Sequence, residues 1–389
     1  RRRRSARPPA APTRSWPFAR ERTASAIPAL QGGVKRAPAM IQYQLKIRPT
    51  RTQERMLGEW LWILTGVWNW AVRKIELDAR DSIFYSPKSF QNLLADHGPK
   101  LDIPSHTVQG MLSLAHAAWT RCFKKVAKKP RLKGRRNTLN SIPFPDPIRR
   151  PKGNRVGVPG LGSVRFHKMD VPEGTIKCGR LVRRASGWYL CVFIDAAPAP
   201  IPHLADGQIG IDPGFTSILT LSTGEKIEHP RELERAAGRL AQAQRGRDTH
   251  LAARLQERIA NKRKDRNHKL SRRLVAENQL IAFSADHHRA VAKTFGRSVA
   301  SSGHAQLRTM LAYKSRTGGR TYLEVEPRNS TKTCSSCGAL SGPSGLAGLS
   351  VRQWRCGGCG ALHDRDVNAA RNALAAGAGT THEGALCLA

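Results

Sequence analysis

Four cysteines near the end of this chain limit what it can become more than any other feature. Cys334-x-x-Cys337 and Cys356-x-x-Cys359 form two knuckles separated by an 18-residue gap (338–355). Thiolates at this spacing occupy the corners of a tetrahedron and close around Zn²⁺. With every corner filled by protein, such a metal is structural and keeps no open position for a substrate. Gly338 follows the first knuckle, and Gly357, Gly358 and Gly360 surround the second. They permit the tight turns that point backbone N–H groups at sulfur. Cys122, Cys178, Cys191 and Cys387 are scattered, so the cysteines are not a disulfide framework and the pattern suits a reducing compartment.

Charge narrows the class of partner. Lys and Arg number 66 against 28 Asp and Glu, a formal net charge of +38. Self-repulsion of that size calls for a polyanion, and nucleic acid bound through its phosphates is the natural one. An enzyme of a small neutral metabolite is disfavoured. The most apolar stretch, around Leu61–Trp70, is interrupted by Gly66 and Asn69. It falls short of the roughly 18–20 apolar residues of a membrane span, so no membrane partner is expected.

Along the chain, residues 1–39 are rich in Arg, Pro and Ala and lack apolar periodicity. They are expected to be a disordered basic extension lying upstream of the true start, Met40. Ile41, Tyr43, Leu45 and Ile47 alternate as a half-buried strand, and Thr50 or Thr52 can cap the helix that follows. Apolar residues at helical spacing (Leu57, Trp60, Leu61, Leu64, Trp68, Val72) and a second stretch over 107–127 predict a small helical bundle with its tryptophans in the core. A basic run follows, in which Lys124, Lys125, Lys128, Lys129, Arg131, Lys133, Arg135 and Arg136 either track a phosphate backbone or form a solvated face. Short strands are expected at 163–167, 175–177 and 188–194. Beyond a Pro- and Ala-rich boundary, the order is strand 208–212, returning strand 217–222, helix 230–280, strand 279–283, helix 289–314, strand 321–326 and helix 367–375. That order describes an α/β sheet domain.

Carboxylates at strand ends supply the chemistry. Asp212 directly follows an apolar strand, where groups of an open α/β sheet face the ligand crevice. Asp364 and Asp366 stand together after the second knuckle, Asp364 suited to capping a helix and Asp366 to its first turn. Convergent acids in so basic a protein suit hard divalent cations such as Mg²⁺, which in pairs activate water for phosphodiester cleavage.

The runs Gly210-Ile211-Asp212-Pro213-Gly214, Asn329 to Gly338 and Asp364-Arg365-Asp366-Val367-Asn368-Ala369-Ala370-Arg371-Asn372 together resemble the TnpB (OrfB-type) proteins of insertion sequences, relatives of type V CRISPR effector nucleases. The resemblance implies an α/β RuvC-like nuclease domain of RNase H type (207–330 and 361–376) with an inserted zinc ribbon (331–360). It also implies a wedge-like small β-barrel (40–49 and 136–200) interrupted by a helical recognition domain (50–135), with a disordered tail at 377–389. Asp212 and Asp366 match the first and last catalytic acids, which hold two Mg²⁺ ions. The family's middle glutamate is replaced by Ser284-Ala285-Asp286, so Glu326, then Asp286, then Glu324 are the candidates for that role. The implied partners are a guide RNA from the transposon end, target double-stranded DNA and a transposase of the same element. The implied setting is the bacterial cytoplasm, at the nucleoid. A non-cutting RNA-guided DNA-binding protein and an accessory transposition factor are the alternatives.

Overall fold

The computed structural model describes residues 40–94, 101–134, 137–167, 170–196, 200–285, 301–326, 328–344, 348 and 350–386, without the side chains of 380–386. The 1–39 extension, Arg135, Arg136 and Asp286 therefore lie outside the described residues.

The first sheet is built from six antiparallel strands: β1 (Met40–Arg48), β2 (Ser141–Phe144), β3 (Arg155–Val158), β4 (Gly162–Phe166), β5 (Thr175–Arg184) and β6 (Gly187–Asp195). Their order is β2-β5-β6-β1-β4-β3. The alternation read in β1 is real, with Leu45 and Ile47 buried on one face. β2 and β3 were not anticipated, and β5 is much longer than the three residues expected. β2 and β3 stand at the two edges, and no ladder among the described residues joins them into a barrel.

Helices α1 (Arg51–Arg80), α2 (Pro87–Asn92) and α3 (Ser105–Phe123) share one apolar core with this sheet. Thr50 caps α1 in a reciprocal box: its hydroxyl accepts from the Gln53 amide (3.2 Å), and the Gln53 side chain accepts from the Thr50 amide (3.0 Å). The tryptophans divide. Trp60 and Trp119 are buried core, whereas Trp62 is 80% exposed.

The second sheet has the order β11-β10-β7-β8-β9, from β7 (Gly207–Pro213), β8 (Ser217–Leu221), β9 (Lys226–Glu228), β10 (Asn278–Ser284) and β11 (Thr321–Val325). β7, β8 and β9 are antiparallel, while β10 runs parallel to both β7 and β11. The single helix expected over 230–280 is two, α4 (Glu232–Arg245) and α5 (Thr249–Glu277), with Asp248 capping the second through the Leu251 amide (2.9 Å). A half-buried ion pair, with Arg266 Nη1 donating to both Glu232 carboxylate oxygens at 3.0 and 3.1 Å, ties them together.

The faces of this sheet are covered by different helices. Ile209, Ile211, Ile281 and Phe283 pack with Leu270 and Leu274 of α5 and with Leu307 and Leu311 of the helix His304–Gly318. Ala282 and Val325 face the other way, onto Ala373 of the helix Arg365–Leu386. That last helix is longer than expected: residues 377–386 continue it and are not the disordered tail of the sequence reading. No helix among the described residues is long and apolar enough to cross a membrane.

Candidate functional site

The four cysteine sulfurs lie within 4.8 Å of one another. Cys334 and Cys359 are 3.7 Å apart, and Cys337 and Cys356 are 3.6 Å apart. A Zn–S bond of about 2.3 Å in a tetrahedron requires edges of about 3.8 Å, so the donor set fits this ion. The knuckles repeat one geometry. In each, the glycine amide returns to the first cysteine carbonyl (Gly338 to Cys334 and Gly360 to Cys356, both 2.9 Å). Both glycines adopt positive φ, +78° and +74°, a conformation that a side chain would strain. The Ser341 hydroxyl donates to Cys356 Sγ at 3.2 Å and holds this thiol well below its ordinary range.

The acids follow from strand parity. Phe283 of β10 is level with Ile211 of β7 and with Glu324 of β11, while Ser284 is level with Val325. Asp212 is one residue beyond Ile211, so its side chain shares the face of Gly210, Ala282, Ser284 and Val325. This is the face covered by the helix Arg365–Leu386. A Cβ on Gly210 would lie 2.0 Å from the Ala370 carbonyl, and a Cβ on Gly377 would lie 2.6 Å from that of Ala282. Asp366, Ala370, Ala373 and Gly377 recur at helical spacing and form the side of the helix turned to the sheet. Asp366 is one turn, about 6 Å, from the crossing along the helix, and Asp212 is about 7 Å from it along the strand.

The start of that helix is anchored as expected. The Asp364 carboxylate accepts from the amides of Asp366 and Val367, both at 3.1 Å. Lys226 Nζ reaches its other oxygen at 2.7 Å. Lys226 is level with Thr220, and Thr220 with Asp212, so Asp364 is fixed over the same row of the sheet. Partial burial works against ionisation of Asp364, yet Lys226 and the two amides hold its pKa below the usual carboxylate range. Arg352 Nη1 stands 3.6 Å from Asp366 Oδ2.

Two of the proposed middle acids are not brought to this face. Glu324 has the parity of Phe283 and pairs with Arg308 of the opposite helix, Nε to Oε1 at 2.9 Å, with Tyr322 also donating to it at 3.0 Å. Glu326 is exposed just past the end of β11, and continued alternation gives it the side of Glu324. Parity was visible in the sequence, but which face each strand offered to the helix was not. Among the described residues, the four cysteines are the only group of three or more such side chains close enough to share a metal.

The basic run is partly committed to the fold. Asn69 holds the Lys133 backbone through both its amide and its carbonyl (2.7 and 3.0 Å), and Trp68 donates to the Arg131 carbonyl at 3.0 Å. Lys133 Nζ lies over the Trp68 ring and Lys129 pairs with Glu76, whereas the side chains of Lys124, Lys125, Lys128 and Arg131 belong to exposed residues. Another basic residue, Lys314, is turned inward: it is 8% exposed, and its Nζ donates to the His268 carbonyl (2.6 Å) and the Ser271 hydroxyl (2.7 Å).

Sequence reasoning assigned no role to His363, Asn368 or Asn372. His363 Nε2 is 3.0 Å from Cys334 Sγ. Asn368 donates to the carbonyls of Ser330 (3.2 Å) and Thr333 (2.8 Å) and accepts from the Ser335 amide (2.8 Å). Asn372 donates to the same two carbonyls at 2.7 and 2.8 Å. The available signal was their position between the second knuckle and the helix carrying Asp366.

Residues 304–373 match the family described as Cas12f1-like, TNB domain. A Streptomyces pristinaespiralis protein is 34% identical over 298 residues, covering 71% of this chain and 72% of its own length. InsQ of Escherichia coli K12 is 26% identical over 306 residues, covering 71% of this chain and 75% of its own. Both carry the name "Putative RNA-guided DNA endonuclease". The fold is also that of the protein in the cryo-EM structure of a Cas12f1–sgRNA–target DNA complex, with a TM-score of 0.53 and 14% identity over 84% of this chain and 83% of that one.

Proposed function

Because the chain belongs to the TnpB-type family of RNA-guided DNA endonucleases, we propose that it binds a guide RNA from the end of its insertion sequence and hydrolyses matching double-stranded DNA. The observation that carries this reading is the close crossing of Gly210 and Ala370, which sets the helix of Asp366 over the strand of Asp212. In this reading, residues 207–330 and 361–376 form a RuvC-like nuclease of RNase H type, and 331–360 form its zinc ribbon. Residues 40–49 and 136–200 form the wedge-like part, and 50–135 the recognition part. A transposase of the same element is a further partner.

Asp212 and Asp366 supply the carboxylate oxygens that hard cations require. Two Mg²⁺ ions at such a site supply a metal-activated water and charge stabilisation at the leaving oxygen. Lys226 and the helix amides occupy Asp364 and keep it as the cap. Zn²⁺ on the cysteines is structural and fastens the knuckles to the helix start. For the middle acid, Glu324 is withdrawn by its pair with Arg308, and the parity of Glu326 disfavours it. Asp286, two residues after Ser284 in the sequence, is the better candidate. Pairing with the guide carries target specificity, and basic side chains track the backbone.

A second reading, RNA-guided binding without cutting, rests on one sequence feature: Ser284-Ala285-Asp286 stands where the family carries its middle glutamate. The test is to sequence RNA that co-purifies with the full chain and then supply a matching target with Mg²⁺. Cleavage supports the nuclease; guided binding without cleavage supports the second reading. Absence of a defined RNA contradicts both.

A further inference from the structure

His363 stands just before the helix that carries Asp366 and packs directly on the cysteine centre. It is 4% exposed, its ring lies 4.8 Å from that of Trp354, and its Nε2 is 3.0 Å from Cys334 Sγ. A metal-bound thiolate has no proton, so at this contact the imidazole N–H donates to sulfur. The next residue, Asp364, caps the amides of Asp366 and Val367. One turn on, Asn368 is 1% exposed and binds the Ser335 amide, which belongs to the first knuckle itself. Asp366 is thus held between two side chains that both grip the Cys334–Cys337 knuckle. Four thiols packed with edges of 3.6–3.7 Å keep that arrangement only around a cation, so an empty centre loosens both grips.

We propose that His363 and Asn368 are positioning residues through which metal at the four cysteines sets the divalent-cation affinity of the Asp212–Asp366 end of the sheet. The proposal rests on the reading of those two acids as cation ligands. Outer partners of metal ligands commonly change metal affinity by about 10–100-fold, although they never touch the ion. The link here runs from one metal centre to another, and its consequence is a nuclease site that binds its cations more tightly when the cysteine centre is loaded.

The test uses the purified full chain. Mn²⁺ binding is followed by the electron paramagnetic resonance signal of the free ion, and the cysteine centre by the thiolate charge-transfer bands of substituted Co²⁺. Asp212→Asn is the control: if it leaves Mn²⁺ binding unchanged, the reading of the acids fails and not the link. Given that control, His363→Leu is expected to keep the four-thiolate spectrum and weaken Mn²⁺ binding about tenfold, the lower end for an outer partner. His363→Gln, which retains an N–H donor, should restore it. Removing zinc from the wild type should weaken Mn²⁺ binding by a similar factor, reversed on adding zinc back, and should have little further effect in His363→Leu. Unchanged Mn²⁺ affinity in His363→Leu overturns the proposal, as do additive losses. Loss of the thiolate bands in that variant makes His363 part of the cysteine centre itself and also overturns it. Should His363→Leu fail to fold, zinc removal and return in the wild type decides alone, an unchanged Mn²⁺ affinity counting against the link.

Discussion

Gly210 and Ala370 are in such close approach that a Cβ on Gly210 would sit 2.0 Å from the Ala370 carbonyl oxygen. The C-terminal helix therefore crosses β7 at the one residue type that admits it, two positions before Asp212. Gly210→Ala forces the helix outward. It should lower stability by about 1–3 kcal/mol, the usual cost of overpacking, or more if the backbone cannot yield. Cleavage should fall further than stability accounts for. Denaturant melts and cleavage rates on the same preparation check this, and full activity in a folded Gly210→Ala would contradict the crossing's role.

Asp212→Asn and Asp366→Asn should each reduce Mg²⁺-dependent cutting to background while guide and target binding persist. The substitution keeps size and removes the charge a hard cation needs. Binding measured by filter retention, beside cleavage, separates the roles. Loss of both together would point to misfolding.

Glu324→Gln should leave cutting intact. Its carboxylate serves Arg308 on the opposite face of the sheet, and that pair is partly exposed, with side-chain exposures of 21% for Arg308 and 39% for Glu324. Removing the charge should cost about 0–1 kcal/mol, as for other solvent-screened pairs. A cleavage-dead but stable Glu324→Gln would restore it as the middle acid.

Cys356→Ser should lose bound zinc and fold poorly, because a structural metal contributes folding free energy directly. Zinc content by mass spectrometry and chelator sensitivity of the melt report this. A zinc-free variant as stable as the wild type would remove the case for a structural centre.

Lys314 carries a pH signature. Burial, followed by repulsion from Arg272, lowers its pKa to about 8 from the ordinary 10.5. Between those values the unfolded chain binds more protons, so this residue makes stability rise with pH there. Below pH 8 the buried ammonium exerts its full cost. Lys314→Met should therefore gain most against the wild type below pH 8, and the gain should shrink as pH rises toward 10.5. Melts across that range test it; a pH-independent difference would mean that the ammonium is well solvated.

Local features were readable before any fold was known. The cysteine spacing, the Thr50 cap, the Asp364 cap and the strand ending at Asp212 each depend on a few neighbouring residues and on donor chemistry, so their physics is written in short stretches of chain. Which acids share a side was a matter of tertiary register. Glu324 and Asp212 both end apolar strands, yet the parallel alignment of β11 with β10, and of β10 with β7, sends their side chains to opposite faces. The helix that covers only one of those faces, admitted by a missing side chain at position 210, then selects Asp212 and leaves Glu324 to Arg308. Alternation is a property of one strand; the choice of face is made only when strands and helix pack together.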